Sequence, residues 1–138
     1  MYGGTFFRMM GAYQAYVGLK NYDQALRHHL EAIKDGYTVC IFPMGKIYLS
    51  HEQAKAKGGA SFLAQKTSLP IIPVLIQGIE QLTFSDFLKG KRKLTVTFGR
   101  PLYAKDIFKD TNAIVNHDNR NDYEDAATVL MEKISQLA

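Results

Sequence analysis

Cysteine is almost missing from this chain: Cys40 is the only one among 138 residues. An internal disulfide and a cysteine-cluster metal site are thereby excluded, and a reducing compartment fits the rest. Long apolar runs are missing as well. The longest near-continuous stretch is Leu69–Ile76, whereas a helix that spans a bilayer needs about 20 such residues. Membrane contact, if the chain makes any, is therefore expected at the surface. No signal peptide is recognisable, because Arg8 interrupts a short, glycine-broken start. The chain has no internal repeat and no low-complexity linker. Neither sign of charge dominates: 17 Lys and Arg stand against 13 Asp and Glu, for a net +4. That mild excess admits an anionic partner without choosing between nucleic acid, phospholipid and a phosphorylated metabolite.

What is present describes an ordinary globular chain, with 46% hydrophobic and 22% charged residues. At 15.5 kDa it is expected to form one domain over residues 1–138, ending in a polar loop and terminal helix over 103–138. Ala15–Leu19 reads as a short strand. Tyr22, Leu26, Leu30 and Ile33 recur at helical spacing, with Asn21 placed to cap the start and Gly36 the end. Tyr37–Phe42 is continuously apolar and rich in β-formers, as expected of a strand covered on both sides, with Cys40 a small core residue. Pro43 ends it, and Met44–His51 is irregular.

Helical pattern returns from Glu52 to Thr67, although Gly58-Gly59 inside it costs about 1 kcal/mol per glycine relative to alanine. Such a pair suggests a close backbone approach or a late helix start. Pro70 stops the helix, and Ile71–Ile76 reads as a buried strand. Pro73, which lacks a ladder donor, belongs at a strand end or bulge. A loop bearing Phe84, Phe87 and the basic run Lys89-Gly90-Lys91-Arg92-Lys93 leads to the alternating strand Leu94–Phe98. A last helix starts near Asp122, with Ala126, Ala127, Leu130, Ile134 and Leu137 on one face. Strands alternating with helices predict an α/β fold with a mostly parallel (mixed) sheet flanked by helices.

Chemistry is most readily placed at Phe42-Pro43-Met44-Gly45-Lys46, directly after a predicted interior strand. Ligands of open α/β sheets bind outside the carboxyl ends of strands. Gly45 would admit a close backbone approach and Lys46 would set a cation beside it, suited to a phosphate. Taken alone, the same residues make a tight turn with a solvated lysine.

Four segments occur together and in one order: Tyr16-Val17-Gly18-Leu19-Lys20, then Ile41–Lys46, then Lys57-Gly58-Gly59-Ala60-Ser61-Phe62-Leu63-Ala64, then Leu69-Pro70-Ile71-Ile72-Pro73-Val74. Gly99-Arg100-Pro101-Leu102 closes the series. From about Gly11 to Leu102 the chain resembles the glycerolipid acyltransferase family, of the lysophosphatidic acid acyltransferase (PlsC) type. The resemblance implies transfer of a fatty acyl group from acyl-CoA or acyl carrier protein to a hydroxyl of a lysophospholipid or glycerol phosphate. It implies no cofactor or metal beyond that acyl donor, no nucleic-acid partner, and a cytoplasmic place peripheral to the membrane. A non-catalytic lipid- or phosphate-binding module of the same fold is the alternative.

By position, the resemblance assigns acceptor binding to Lys20, Phe42, Pro43, Met44, Gly45 and Lys46. Lys20 stands where such enzymes usually carry arginine, so charge is kept and the bidentate fork is lost. Met44 replaces a glutamate, and Lys46, Ile47 and Tyr48 replace a Thr-Arg-Ser run. In the family, a histidine followed after four residues by an aspartate supplies the general base and its orienting partner. Met1–Ala15 contain no histidine, so that pair is expected upstream of Met1, and this chain alone is expected to transfer little or no acyl group.

His117 and Asp122 repeat the spacing, but they come after the last strand. There His117 reads as a loop residue, and Asp122 or Asn121 as a helix cap. His28 and His29 sit side by side on a helix, and at least one should face water; metal binding lacks further partners. The basic run of residues 89–93 is either a solvated loop or, with Phe84, Phe87 and Leu88 before it, a patch resting on anionic lipid.

Overall fold

The computed structural model describes residues 9, 11–12, 15, 21–45, 56–79, 83–91, 93–108 and 120–138. The chain divides into two compact units, Met1–Phe42 and Pro43–Ala138. In the first, α1 (Tyr22–Ala25) and α2 (Arg27–Lys34) are separated at Leu26, whose backbone leaves helical values at φ −113°, ψ 19°. Asn21 caps α1: its Oδ1 accepts the Asp23 N–H at 2.8 Å and the Gln24 N–H at 3.4 Å, as its side chain is suited to do. Gly36, at φ +85°, follows the end of α2. Ala25, Leu26 and His29 are buried here.

The two histidines have different fates. His28 is half-buried and its Nδ1 lies 3.1 Å from Glu31 Oε2. His29 is buried and its Nδ1 has no hydrogen-bond partner among the described residues. Burial, and secondarily the charge of His28, hold its pKa below the ordinary 6.5. Unfolded, His29 takes up a proton near pH 6.5; folded, it resists until lower pH. Folding stability is therefore expected to fall as pH drops through 6.5 toward the lowered folded value, and to be flat in this respect above it. Urea unfolding followed between pH 7.5 and 5 should show that loss, and His29→Leu should flatten it.

Tyr37–Phe42 overturns the expectation of a doubly covered strand. It forms no strand, Tyr37 and Phe42 are exposed, and Cys40 is an exposed thiol rather than a core residue. A strand needs a ladder for its N–H and C=O groups, and the described strands pair only with each other. The expected strand at Ala15–Leu19 lies outside the described residues except for Ala15.

The second unit contains α3 (Gly59–Thr67), β1 (Val74–Gln77), α4 (Phe84–Leu88), β2 (Thr95–Phe98), α5 (Ala104–Ile107) and α6 (Arg120–Ser135). The glycine pair does mark a late start: Gly58 is the N-cap of α3, which ends at Ser68 in a left-handed conformation. The expected mostly parallel sheet is not seen among the described residues. β1 and β2 make a two-stranded antiparallel ribbon, with Val74 opposite Phe98 and Ile76 opposite Val96. The connection explains the direction. Gly78 turns the chain at φ +85° immediately after β1, and a Cβ there would run into the Lys93 carbonyl. With the five-residue α4 as the only element between them among the described residues, β2 returns beside β1 in the opposite sense rather than crossing over the sheet. Pro73 sits just before β1, as its missing donor requires, and its carbonyl accepts the Gly99 N–H at 2.8 Å.

The core of this unit is built where α3, α5 and α6 meet. Phe62, Ile107 and Leu130 are fully buried, together with Ala126 and Ala127. Tyr123 stands edge-on to Phe62 (centroids 5.5 Å apart) and to Phe108 (6.0 Å), a favoured geometry for aromatic pairs. Its hydroxyl donates to Gln65 Oε1 at 2.6 Å, so the polar tip is satisfied. Asn121 and Asp122 do not cap α6 but lie within it. Asp122 occupies the first turn, where the helix dipole favours a carboxylate.

Candidate functional site

The segment Pro43-Met44-Gly45 forms a bend on the surface of the second unit. Pro43 and Met44 are half-buried, and Gly45 is exposed at φ +67°, a conformation that L side chains adopt at a cost of roughly 1–2 kcal/mol. The bend is held to the start of α3, since the Lys57 N–H donates to the Pro43 carbonyl at 2.8 Å. This bond places the Lys57 side chain over the glycine: its Cγ lies 3.7 Å from where a Gly45 Cβ would be.

Next to Lys57 is an unusual helix start. Gly58 is buried and carries no side chain to cap α3. Free N–H groups at a helix start carry about half a positive charge between them. A lysine directly before that end is electrostatically misplaced, because helix starts favour anions. Among the described residues Lys57 makes no ion pair. A glycine bend, an uncapped helix start and the stem of an exposed lysine thus share one patch, and the partner they suit is an anion such as a phosphate monoester.

Of the six residues singled out from sequence, Pro43, Met44 and Gly45 belong to this patch. Phe42 is exposed and closes the first unit. Lys20 and Lys46 lie outside the described residues, as does His117. Lys57, which adjoins the bend, stands inside one of the four ordered segments but is not among those six. The available signal was its position: a cation immediately before two glycines that open a helix. Among the described residues no three His, Cys, Asp or Glu side chains gather in a metal-binding group.

A family model described as acyltransferase matches residues 2–77, more than half of the chain. The match takes in Tyr16–Lys20, Ile41–Lys46, Lys57–Ala64 and Leu69–Val74, and stops before Gly99-Arg100-Pro101-Leu102. No solved structure matches the chain.

Proposed function

Because the chain belongs to the acyltransferase family, whose general chemistry is acyl transfer, we propose that it serves a glycerolipid acyltransferase reaction and holds the phosphate of the acceptor. The donor would be acyl-CoA or acyl carrier protein, and the acceptor a lysophospholipid or glycerol phosphate. In that reaction the acceptor hydroxyl attacks the thioester carbonyl. A C–O bond forms, the C–S bond breaks, and the thiolate leaves and takes up the proton released by the hydroxyl.

The observation that carries the proposal is the Lys57 side chain, whose Cγ packs over Gly45, at the uncapped start of α3. Backbone N–H groups and one lysine bind a phosphate without requiring the glutamate that Met44 replaces. Lys20 and Lys46 join the proposal through the resemblance alone. The base is assigned to none of residues 1–138, and removal of a general base typically costs 10²–10⁴ in rate.

The test measures transfer of labelled acyl groups by the protein as expressed from its gene. Lysophosphatidate and glycerol 3-phosphate are compared with monoacylglycerol. The phosphorylated acceptors should be strongly preferred; equal use of the neutral one would remove the phosphate site. One observation favours a second reading: Met44 stands where the family has an acid. Binding of the phosphorylated acceptors with no transfer to any would establish that reading, a non-catalytic binding module.

A further inference from the structure

Ser61 is the third residue of α3 and is 0% exposed, yet its Oγ has no hydrogen-bond partner among the described residues. Buried as it is, it has no water to bond instead. A hydroxyl within a helix commonly donates to a carbonyl three or four residues back. Other hydroxyls of this chain do so. Thr67 donates to the Leu63 carbonyl at 2.7 Å, Thr128 to that of Glu124 at 3.0 Å and Ser135 to that of Glu132 at 2.8 Å. Ser61 makes no such bond to the Lys57 carbonyl. A buried hydroxyl left unmet costs stability. Alanine would fill the same place without that cost and with a better helix propensity.

The place of the hydroxyl says what would meet it. Cα–Cβ bonds in a helix lean toward the amino end, so the side chain of a third residue lies over the first turn. The first bond of α3 runs from the Phe62 N–H to the Gly58 carbonyl at 2.9 Å. The N–H groups of Gly59, Ala60 and Ser61 therefore point out of the helix end, and they have no acceptor among the described residues. Gly58 and Gly59 put no side chain across that end, and Gly59 and Ala60 are only half-buried. What the first turn offers is a set of donors without acceptors. An oxyanion with several acceptor oxygens satisfies them together, and a serine hydroxyl needs only a turn about its own Cα–Cβ bond to join in.

We propose that Ser61 is a binding residue of the acceptor-phosphate site: its Oγ–H donates to a phosphate oxygen seated on the free N–H groups at the start of α3. This rests on the proposed function and adds to it a side-chain donor that comes from inside the helix rather than from the bend. The unmet hydroxyl is a cost carried by the unliganded chain and removed when the phosphate arrives. The experiment is calorimetric titration of the full chain with glycerol 3-phosphate, with glycerol as control, read beside thermal unfolding of the unliganded protein.

S61A should weaken binding of glycerol 3-phosphate roughly tenfold, as loss of a hydrogen bond to a charged group does, while its Tm without ligand stays level or rises. These opposite signs separate a binding hydroxyl from a structural one. S61C, which keeps the volume but donates weakly, should also bind the phosphate ester less tightly than the wild type. Equal affinity of wild type and S61A for glycerol 3-phosphate would overturn the assignment of Ser61 and leave the phosphate site standing. A lower Tm for unliganded S61A would overturn it as well, because the hydroxyl would then be holding the fold together. A wild-type chain that binds glycerol 3-phosphate no better than glycerol would overturn the proposed function and this inference with it.

Discussion

Phe62→Ala is expected to destabilise the protein by about 3–5 kcal/mol. Phe62 is 2% exposed, and its ring supports Tyr123 edge-on at 5.5 Å. Removing it opens a cavity and takes one wall from the cluster that joins α3 and α6. With Tyr123 left free to move, its 2.6 Å hydrogen bond to Gln65 weakens as well. A typical domain has only about 5–15 kcal/mol in total, so much of its stability would go. Urea unfolding monitored by circular dichroism should show the midpoint fall steeply. Phe98→Ala is the contrast. The same side chain is lost from an exposed position, where a change of roughly 0.5 kcal/mol or less is expected. Equal effects of the two substitutions would mean that the core has been assigned to the wrong side of the second unit.

The second large effect concerns the acceptor. In the protein as expressed from its gene, Lys57→Ala should raise the apparent KM for a phosphorylated acceptor roughly 10- to 100-fold, since a hydrogen bond to a charged group is worth about 1.5–3 kcal/mol. The kcat should change far less, because the phosphate is held equally in the ground and transition states. Lys57→Arg should recover most of the loss, and a neutral acceptor should be insensitive to all three side chains. Kinetics that fail to distinguish lysine, arginine and alanine would take Lys57 out of the site. Stability should move little in this series, because the Lys57 side chain is exposed and only its backbone N–H ties the bend to α3.

Local signals in the sequence were dependable where neighbouring residues alone decide the outcome. Asn21 capped its helix, Gly36 took up a positive φ, Pro73 stood ahead of a strand, and the stripe Ala126, Ala127 and Leu130 was buried. Each depends on side-chain chemistry within a turn or two. The sheet was not legible to the same degree, because pairing is a long-range property. Continuous apolar character at Tyr37–Phe42 and at Ile71–Ile76 looks alike, yet only the second segment found a partner. Direction was equally hidden: it follows from the turn at Gly78 and the shortness of α4, neither of which an apolar count reveals.

The site was half visible. Glycine after a proline marked the bend correctly, and Gly45 does adopt the left-handed conformation that makes its lack of a Cβ useful. What joined the bend to α3 was a backbone hydrogen bond between residues 14 apart, from the Lys57 N–H to the Pro43 carbonyl. No pattern of side chains encodes such a bond. Lys57 meets the bend from 14 residues beyond Pro43, where adjacency in sequence does not mark it. The exposure of Val96 and Phe98 had a similar origin. Alternation in LTVTF marked a two-sided strand, but not which side would meet α6.

Amide chemical shifts test the central claim most directly. Uniformly labelled protein would be titrated with glycerol 3-phosphate and, separately, with glycerol. Saturable shifts centred on the N–H groups of Gly45, Lys57, Gly58 and Gly59, seen with the phosphate ester alone, are the predicted result. Shifts of equal size with glycerol, or shifts from the phosphate ester confined to residues remote from the bend, would contradict it.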